Sequence, residues 1–391
     1  MTDSEDQQDH KPETQVGHIG RKSQTHYGFV NTPIYRGSTV LFETAERLLS
    51  YDQPYLYGRS GSPTQDSLTQ AISELEGAEG TCITPSGLNA ITTALLAFLK
   101  AGDHLLMTDS VYRPTRRFCD SLLKQFGIET TYYDPLIGAD IASLFQDNTK
   151  VVFTEAPGSQ TMEMQDIPAI VAAAKTKDIL VMMDNTWATP IYFRPLEHGV
   201  DISILAATKF ISGHSDLMMG VVSANETHWR PLQQAHERLG LFVGPDDVSL
   251  ALRGLRTLPL RLERHMASGL AIAKWLQGRP EVSGMLYPAL ETDPGHGLWQ
   301  RDFDGAPGLF SVLLHPVELD KLKAFLDALK LFGMGYSWGG FESLVIPFDP
   351  TSYRSATTWT HDGPALRFHI GLEDPGDLMA DLEAGFAAMG S

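Results

Sequence analysis

At 391 residues the chain can hold two or three domains, and 42% hydrophobic with 20% charged residues is ordinary globular usage that excludes wholesale disorder. The 30 Lys+Arg against 48 Asp+Glu give a net charge of -18, a surface that repels nucleic-acid phosphates and anionic membranes alike. No apolar run reaches the ~18 residues of a spanning helix, and the acidic start Met-Thr-Asp-Ser-Glu-Asp is unlike a signal peptide, so a cytoplasmic protein with Cys82 and Cys119 as reduced core thiols is expected.

In chain order, residues 1 to about 20 read as a polar, unstructured tail. An irregular arm rich in aromatics and turn residues follows, to about residue 62; it has no core of its own and should wrap over another subunit. Then short apolar runs alternate with amphipathic stretches. Strands are expected at 81–84, 104–108, 129–133, 151–154, 179–183 and 202–206, with helices at 88–99, 115–126 and 167–175. This alternation implies crossovers and a mostly parallel sheet. After Pro259 the texture shifts: helices at 261–276, 319–329 and 374–389 mix with strands at 308–314, 343–347 and 366–370. Three parts are expected: an N-terminal tail and arm (1–62), an α/β domain (63–258) and a smaller α+β domain (259–391).

The sequence contains no P-loop, no complete Gly-x-Gly-x-x-Gly, no Cys-x-x-Cys and no His-Glu-x-x-His, so a structural metal is not expected. Gly335-Tyr-Ser337-Trp-Gly339 fits the serine-hydrolase elbow, with His361 and His369 as paper bases, but an extended segment follows where that motif needs a helix. Lys209 directly follows an apolar strand, where a free ammonium is costly and a lysine engaged in covalent carbonyl chemistry is not. Asp184 ends the preceding strand. Read alone, it fits a helix N-cap, a metal ligand or a partner for a cation; with Lys209 on the next strand it also fits the acid that protonates a pyridine nitrogen. Ser86-Gly87-Leu88 sits at a strand-to-helix turn, either an ordinary turn or a phosphate cradle. Tyr57 and Arg59 share a face of the extended arm.

Together these residues resemble the Cys/Met-metabolism family of pyridoxal phosphate (PLP) enzymes. The resemblance rests on Tyr57-Gly-Arg59, Ser86-Gly87, Thr108-Asp-Ser-Val-Tyr112, Glu155-Ala-Pro-Gly158, Asp184-Asn-Thr-Trp187, Ala207-Thr-Lys209 with Gly213-His-Ser-Asp216, and Leu366-Arg-Phe-His-Ile-Gly-Leu-Glu-Asp374. It implies the aspartate-aminotransferase-like fold (fold type I): an α/β domain with a mostly parallel central sheet and a smaller C-terminal α+β domain. Tyr112-Arg-Pro-Thr-Arg-Arg-Phe-Cys119 and Tyr336-Ser-Trp-Gly-Gly-Phe-Glu-Ser-Leu344 are similar to the branch that cleaves cystathionine at its β carbon. Related cysteine-conjugate, cystine and γ-type lyases are the alternatives.

The resemblance implies a role for each residue. Lys209 carries PLP and is the base, Asp184 holds the ring nitrogen protonated, and Tyr112 stacks on the ring. Gly87, Leu88 and Thr208 bind the phosphate, reached also by Tyr57 and Arg59 of a neighbouring subunit. Arg367, with Ser337, Asn185 and Trp338, receives the substrate. The implied assembly is a homotetramer and the implied substrate a small amino-acid thioether.

Overall fold

The short apolar runs become the strands of one large sheet in the computed structural model, which describes residues 10–390. They are β1 (Gly80–Thr84), β2 (His104–Thr108), β3 (Glu129–Tyr133), β4 (Thr149–Glu155), β5 (Leu180–Asp184), β6 (Ile202–Leu205) and β7 (Gly220–Ala224), in the order β1-β7-β6-β5-β4-β2-β3. From β6 to β3 all pairs are parallel; β7 alone runs against both neighbours. Alternation gives the inner strands two buried faces, while the edge strand β3 is buried only at Tyr133. Leu106, Val152, Val181 and Met183 face one apolar cluster, while Leu105, Met107, Val151, Phe153 and Met182 face the other. Helices cover both faces and start on sequence-encoded caps. Ser86 Oγ accepts from Asn89 N–H at 3.1 Å to open Gly87–Phe98, and Asp166 accepts from Ala169 N–H at 3.1 Å to open Ile167–Lys175.

The second sheet is antiparallel: β8 (Val282–Leu286), β9 (Leu309–Leu314), β10 (Leu344–Phe348) and β11 (Ala365–His369), ordered β10-β11-β9-β8. The helices Leu258–Gln277, Leu319–Ala328 and Pro375–Gly390 accompany it. Trp187 Nε1 donates to Leu309 O at 3.1 Å, tying the loop after β5 to this smaller sheet.

The structure departs from the sequence reading in several places, and the helices Pro63–Glu76, Glu226–Leu239, Pro245–Leu255 and His296–Asp302 were not among those expected. Strands β7 and β8 were not anticipated: the first is a five-residue run without alternation, and the second contains Gly284 at a register shift. The expected helix 115–126 starts earlier, at Arg113–Phe118, and continues as a wider turn, Cys119–Leu123. Finally, the expected unstructured tail is ordered over most of the part that is described. Its residues 1–9 lie outside the described residues, but Pro12–His18 is helical and Val16 and Ile19 are buried. These two apolar side chains join the main core, and Arg256 adds bonds to the segment's backbone, donating to Val16 O and Ile19 O at 2.5 and 2.9 Å.

Arg256→Ala should therefore loosen the N-terminal segment and cost about 1–3 kcal/mol, the range for stranding buried carbonyl acceptors. Limited proteolysis and thermal melting check this. Undiminished protection of residues 10–20 would mean that Val16 and Ile19 hold the segment without the arginine.

Candidate active site

In a parallel sheet the carboxyl ends of the strands open onto one edge, where ligands collect. Here that edge carries Asp184, the last residue of β5, in register with Glu155 on β4 and Ile204 on β6. The turn after β6 brings up Lys209. Its Nζ donates to Ser337 Oγ at 2.7 Å and lies 5.2 Å from the centroid of the Trp338 ring. Burial is the main cause that lowers the Lys209 amine to about 8; Arg367 adds to the lowering and Asp184 opposes it.

Asp184 is pushed up by burial and held down by Thr186, whose N–H and hydroxyl donate to Oδ1 at 3.0 and 2.5 Å, and by Lys209. Its Oδ2 accepts no hydrogen bond among the described residues, so one acceptor is left open. Tyr112 stands at the start of the helix Arg113–Phe118, 43% exposed as a residue and with its hydroxyl lacking a described partner. Its backbone N–H donates to Glu155 Oε2 at 2.8 Å. Burial, Asp184 and Glu155 raise the Tyr112 phenol; Arg367 lowers it.

The smaller sheet supplies the other wall. Arg367 lies mid-way along β11, paired with Ser311 and Ile346, and donates to Ser337 O at 2.9 Å. Its Nε is buried with no partner. A guanidinium with an unmatched buried N–H is set up to receive a carboxylate. Ser337 itself has φ 131°, a strained setting for a residue with a side chain.

The other sequence candidates are placed unevenly. Gly87 and Leu88 begin the helix Gly87–Phe98, where neither backbone N–H has an intrahelical acceptor. A Cβ at Gly87 would lie 2.5 Å from that of Ala206, so close packing on the turn before Lys209 also requires this glycine. Thr208 lies on the turn before Lys209 with its hydroxyl engaged. Its hydroxyl donates to Met219 O at 3.1 Å and accepts from Met219 N–H at 2.9 Å, which leaves no donor for a phosphate. Asn185 is fully buried and turned away, its Nδ2 donating to Phe193 O at 2.8 Å; only its unpartnered Oδ1 remains. Tyr57 and Arg59 make no described bond to the group: Arg59 reaches only Glu237 O, at 3.4 Å. The serine-hydrolase alternative fails, since no helix follows Ser337 and neither His361 nor His369 bonds its hydroxyl. Glu155 and Thr186 join the site unforeseen. Thr186 was legible as the hydroxyl two residues after an aspartate; Glu155 depends on strand register.

The chain matches the family model described as "Cys/Met metabolism PLP-dependent enzyme" over residues 13–387. It belongs to that family. A putative cystathionine beta-lyase of Rhizobium johnstonii is 55% identical over 96% of both chains. Cystathionine beta-lyase MetC of Escherichia coli is 43% identical, over 97% of this chain and 99% of its own. The crystal structure of cystathionine gamma synthase from Xanthomonas oryzae pv. oryzae in complex with aminoacrylate and cysteine superposes with a TM-score of 0.90 at 34% identity, covering 97% and 99% of the two chains. As a family member the chain is a PLP-dependent enzyme of the α/β class. The donor set fits the cofactor: a depressed amine, a buried carboxylate with an open oxygen, an aromatic ring with an open face and free helix N–H groups converge on one edge.

In cofactor-free protein, modification of Lys209 by an amine-selective reagent should titrate with a midpoint near 8. Arg367→Ala should move the midpoint up by removing a neighbouring cation. Asp184→Asn should move it down by removing the anion. A midpoint near the ordinary lysine value of about 10.4 would show the amine to be solvated.

Proposed function

We propose that this enzyme is a cystathionine β-lyase, converting L-cystathionine to homocysteine, pyruvate and ammonia. The observation that carries this reading is the Lys209 amine, lowered to about 8 and hydrogen-bonded to Ser337, whose carbonyl is bound by Arg367. The β-lyases among the relatives support the choice of substrate.

Bound PLP supplies an electron sink that acidifies the Cα–H of an amino acid. Lys209 would hold it through the amine, Asp184 at the ring nitrogen and Tyr112 by stacking; the N–H groups of Gly87 and Leu88 would take its phosphate. Thr208 contributes only if its hydroxyl leaves Met219. Arg367 grips the substrate carboxylate through its open edge, and Trp338 and Ser337 wall that end; Asn185 serves through Oδ1 alone. With the cofactor bound, Lys209 would remove the Cα proton and return one to the departing sulfur. The bond from Cβ to sulfur breaks, homocysteine leaves, and the remaining three-carbon enamine hydrolyses to pyruvate and ammonia.

The arm completes the reading. Tyr27, Leu41, Leu49 and Tyr51 are each at least 70% exposed, more apolar surface than one short segment ordinarily offers to water. We take it to be covered by further copies in a homotetramer, where Tyr57 and Arg59 of one subunit would meet the phosphate of the next. The three-part division at 62 and 258 is retained on the same basis.

Given L-cystathionine, the enzyme should release pyruvate and homocysteine in equal amounts. Appearance of 2-oxobutyrate would mark γ-cleavage, and inversion at Cα without cleavage would mark a racemase; either overturns the reading. Arg367→Ala should lower kcat/KM by about 100-fold or more, since charge-assisted bonds are worth ~1.5–3 kcal/mol each, with the visible absorption of bound PLP retained. Mixed oligomers of Arg59→Ala and Lys209→Ala chains should recover activity that neither parent has. Their continued inactivity would refute a shared site.

A further inference from the structure

We infer that His369 is a positioning residue for the reaction: it fixes the Ser337–Gly340 loop against Lys209 and Arg367. The inference rests on the substrate roles given above to Ser337 and Arg367. His369 ends β11 two residues after Arg367, so both side chains project from one face of the strand. It is fully buried, and its Nε2 lies 3.1 Å from Gly339 N and 3.0 Å from Gly340 O. One neutral tautomer accepts from the Gly339 N–H; the other donates to the Gly340 carbonyl. In either form the ring is bonded to the backbone directly after Trp338.

The other side of the ring faces the lysine's own segment. His369 packs edge-on against Phe210, the residue after Lys209, with centroids 5.9 Å apart, and Phe210 in turn lies 5.4 Å from the Trp338 ring. His265 packs on both His369 and Phe210, and its Nδ1 donates to Ile370 O at 2.7 Å. His369 thus bridges the loop and the turn that carries Lys209.

The loop needs such a bridge. Ser337 holds φ 131° and Gly339 φ 86°, and a Cβ at Gly339 would lie 2.9 Å from the Lys209 carbonyl carbon. Such a conformation persists only where its surroundings over-determine it. What the loop delivers is Ser337 Oγ to Lys209 and Ser337 O to Arg367. His369 contacts neither of those bonds directly and acts through the loop.

His369→Phe keeps a ring of similar size and loses both polar contacts; His369→Gln keeps a donor and an acceptor. With PLP bound, His369→Phe should raise KM for L-cystathionine and weaken equilibrium binding of glycine, which has no β carbon to lose, by about tenfold or more. His369→Gln should stay within about threefold of wild type in both, and a crystal structure of His369→Phe should show residues 337–340 displaced. Wild-type KM and glycine binding in His369→Phe, with the loop in place, overturn the inference. Equal losses in both variants with equally lowered melting temperatures overturn it too, assigning His369 to core packing alone. Unchanged glycine binding in Arg367→Ala would instead refute the carboxylate role on which the inference rests.

Discussion

Burying a lysine amine at the end of a parallel strand is the constraint that organises this molecule. Removal from water disfavours the ammonium, and the nearby Arg367 disfavours it further, so the amine is lowered to about 8 although Asp184 pulls the other way. A protein that pays this cost gains an amine with a much larger neutral fraction near physiological pH than an ordinary lysine has, held in one place by Ser337. Most of the surrounding polar geometry can be understood as keeping that amine oriented and dry.

Strand register is what assembles its partners. In the parallel run β4-β5-β6, Glu155, Asp184 and Ile204 stand at one level. Two buried carboxyl groups side by side cannot both ionise cheaply, and burial with Asp184 drives Glu155 well above the usual carboxylate range. Glu155 meanwhile receives the Tyr112 N–H, which anchors the start of the helix that presents the tyrosine ring. A third buried acid, Asp109, pairs with Arg116 in that helix and collects the backbone N–H groups of Ser355, Ala356 and Thr357 at 3.0, 3.1 and 2.9 Å. One carboxylate thereby ties the segment before Tyr112 to a connection of the smaller sheet.

The smaller sheet is more than a lid on the larger. It contributes Arg367 from a strand, where β9 and β10 hold the backbone on both sides, and Ser337 from a loop that would not keep its shape unaided. The rigid element carries the charge and the strained element carries the hydroxyl. Both are referenced to Lys209 through the cluster of Phe210, His265, His369 and Trp338.

The sequence by itself determined the alternation of strands and helices, the parallel character of the large sheet, and the pairing of Asp184 with Lys209. These follow from local signals: apolar period, cap residues, and polar residues at strand ends. It did not determine β7, whose uniform five-residue run lacks a period, nor the docking of residues 12–20, which needs Arg256 from far along the chain. Strand alternation relates His369 to Arg367, but only the tertiary structure decided that Glu155 stands beside Asp184 and that His369 meets the Gly339–Gly340 backbone, because strand register and the meeting of two sheets join residues far apart in sequence. It also decided that the Thr208 hydroxyl and the Asn185 amide are committed elsewhere, since a buried donor takes the nearest backbone acceptor the fold supplies, here Met219 and Phe193.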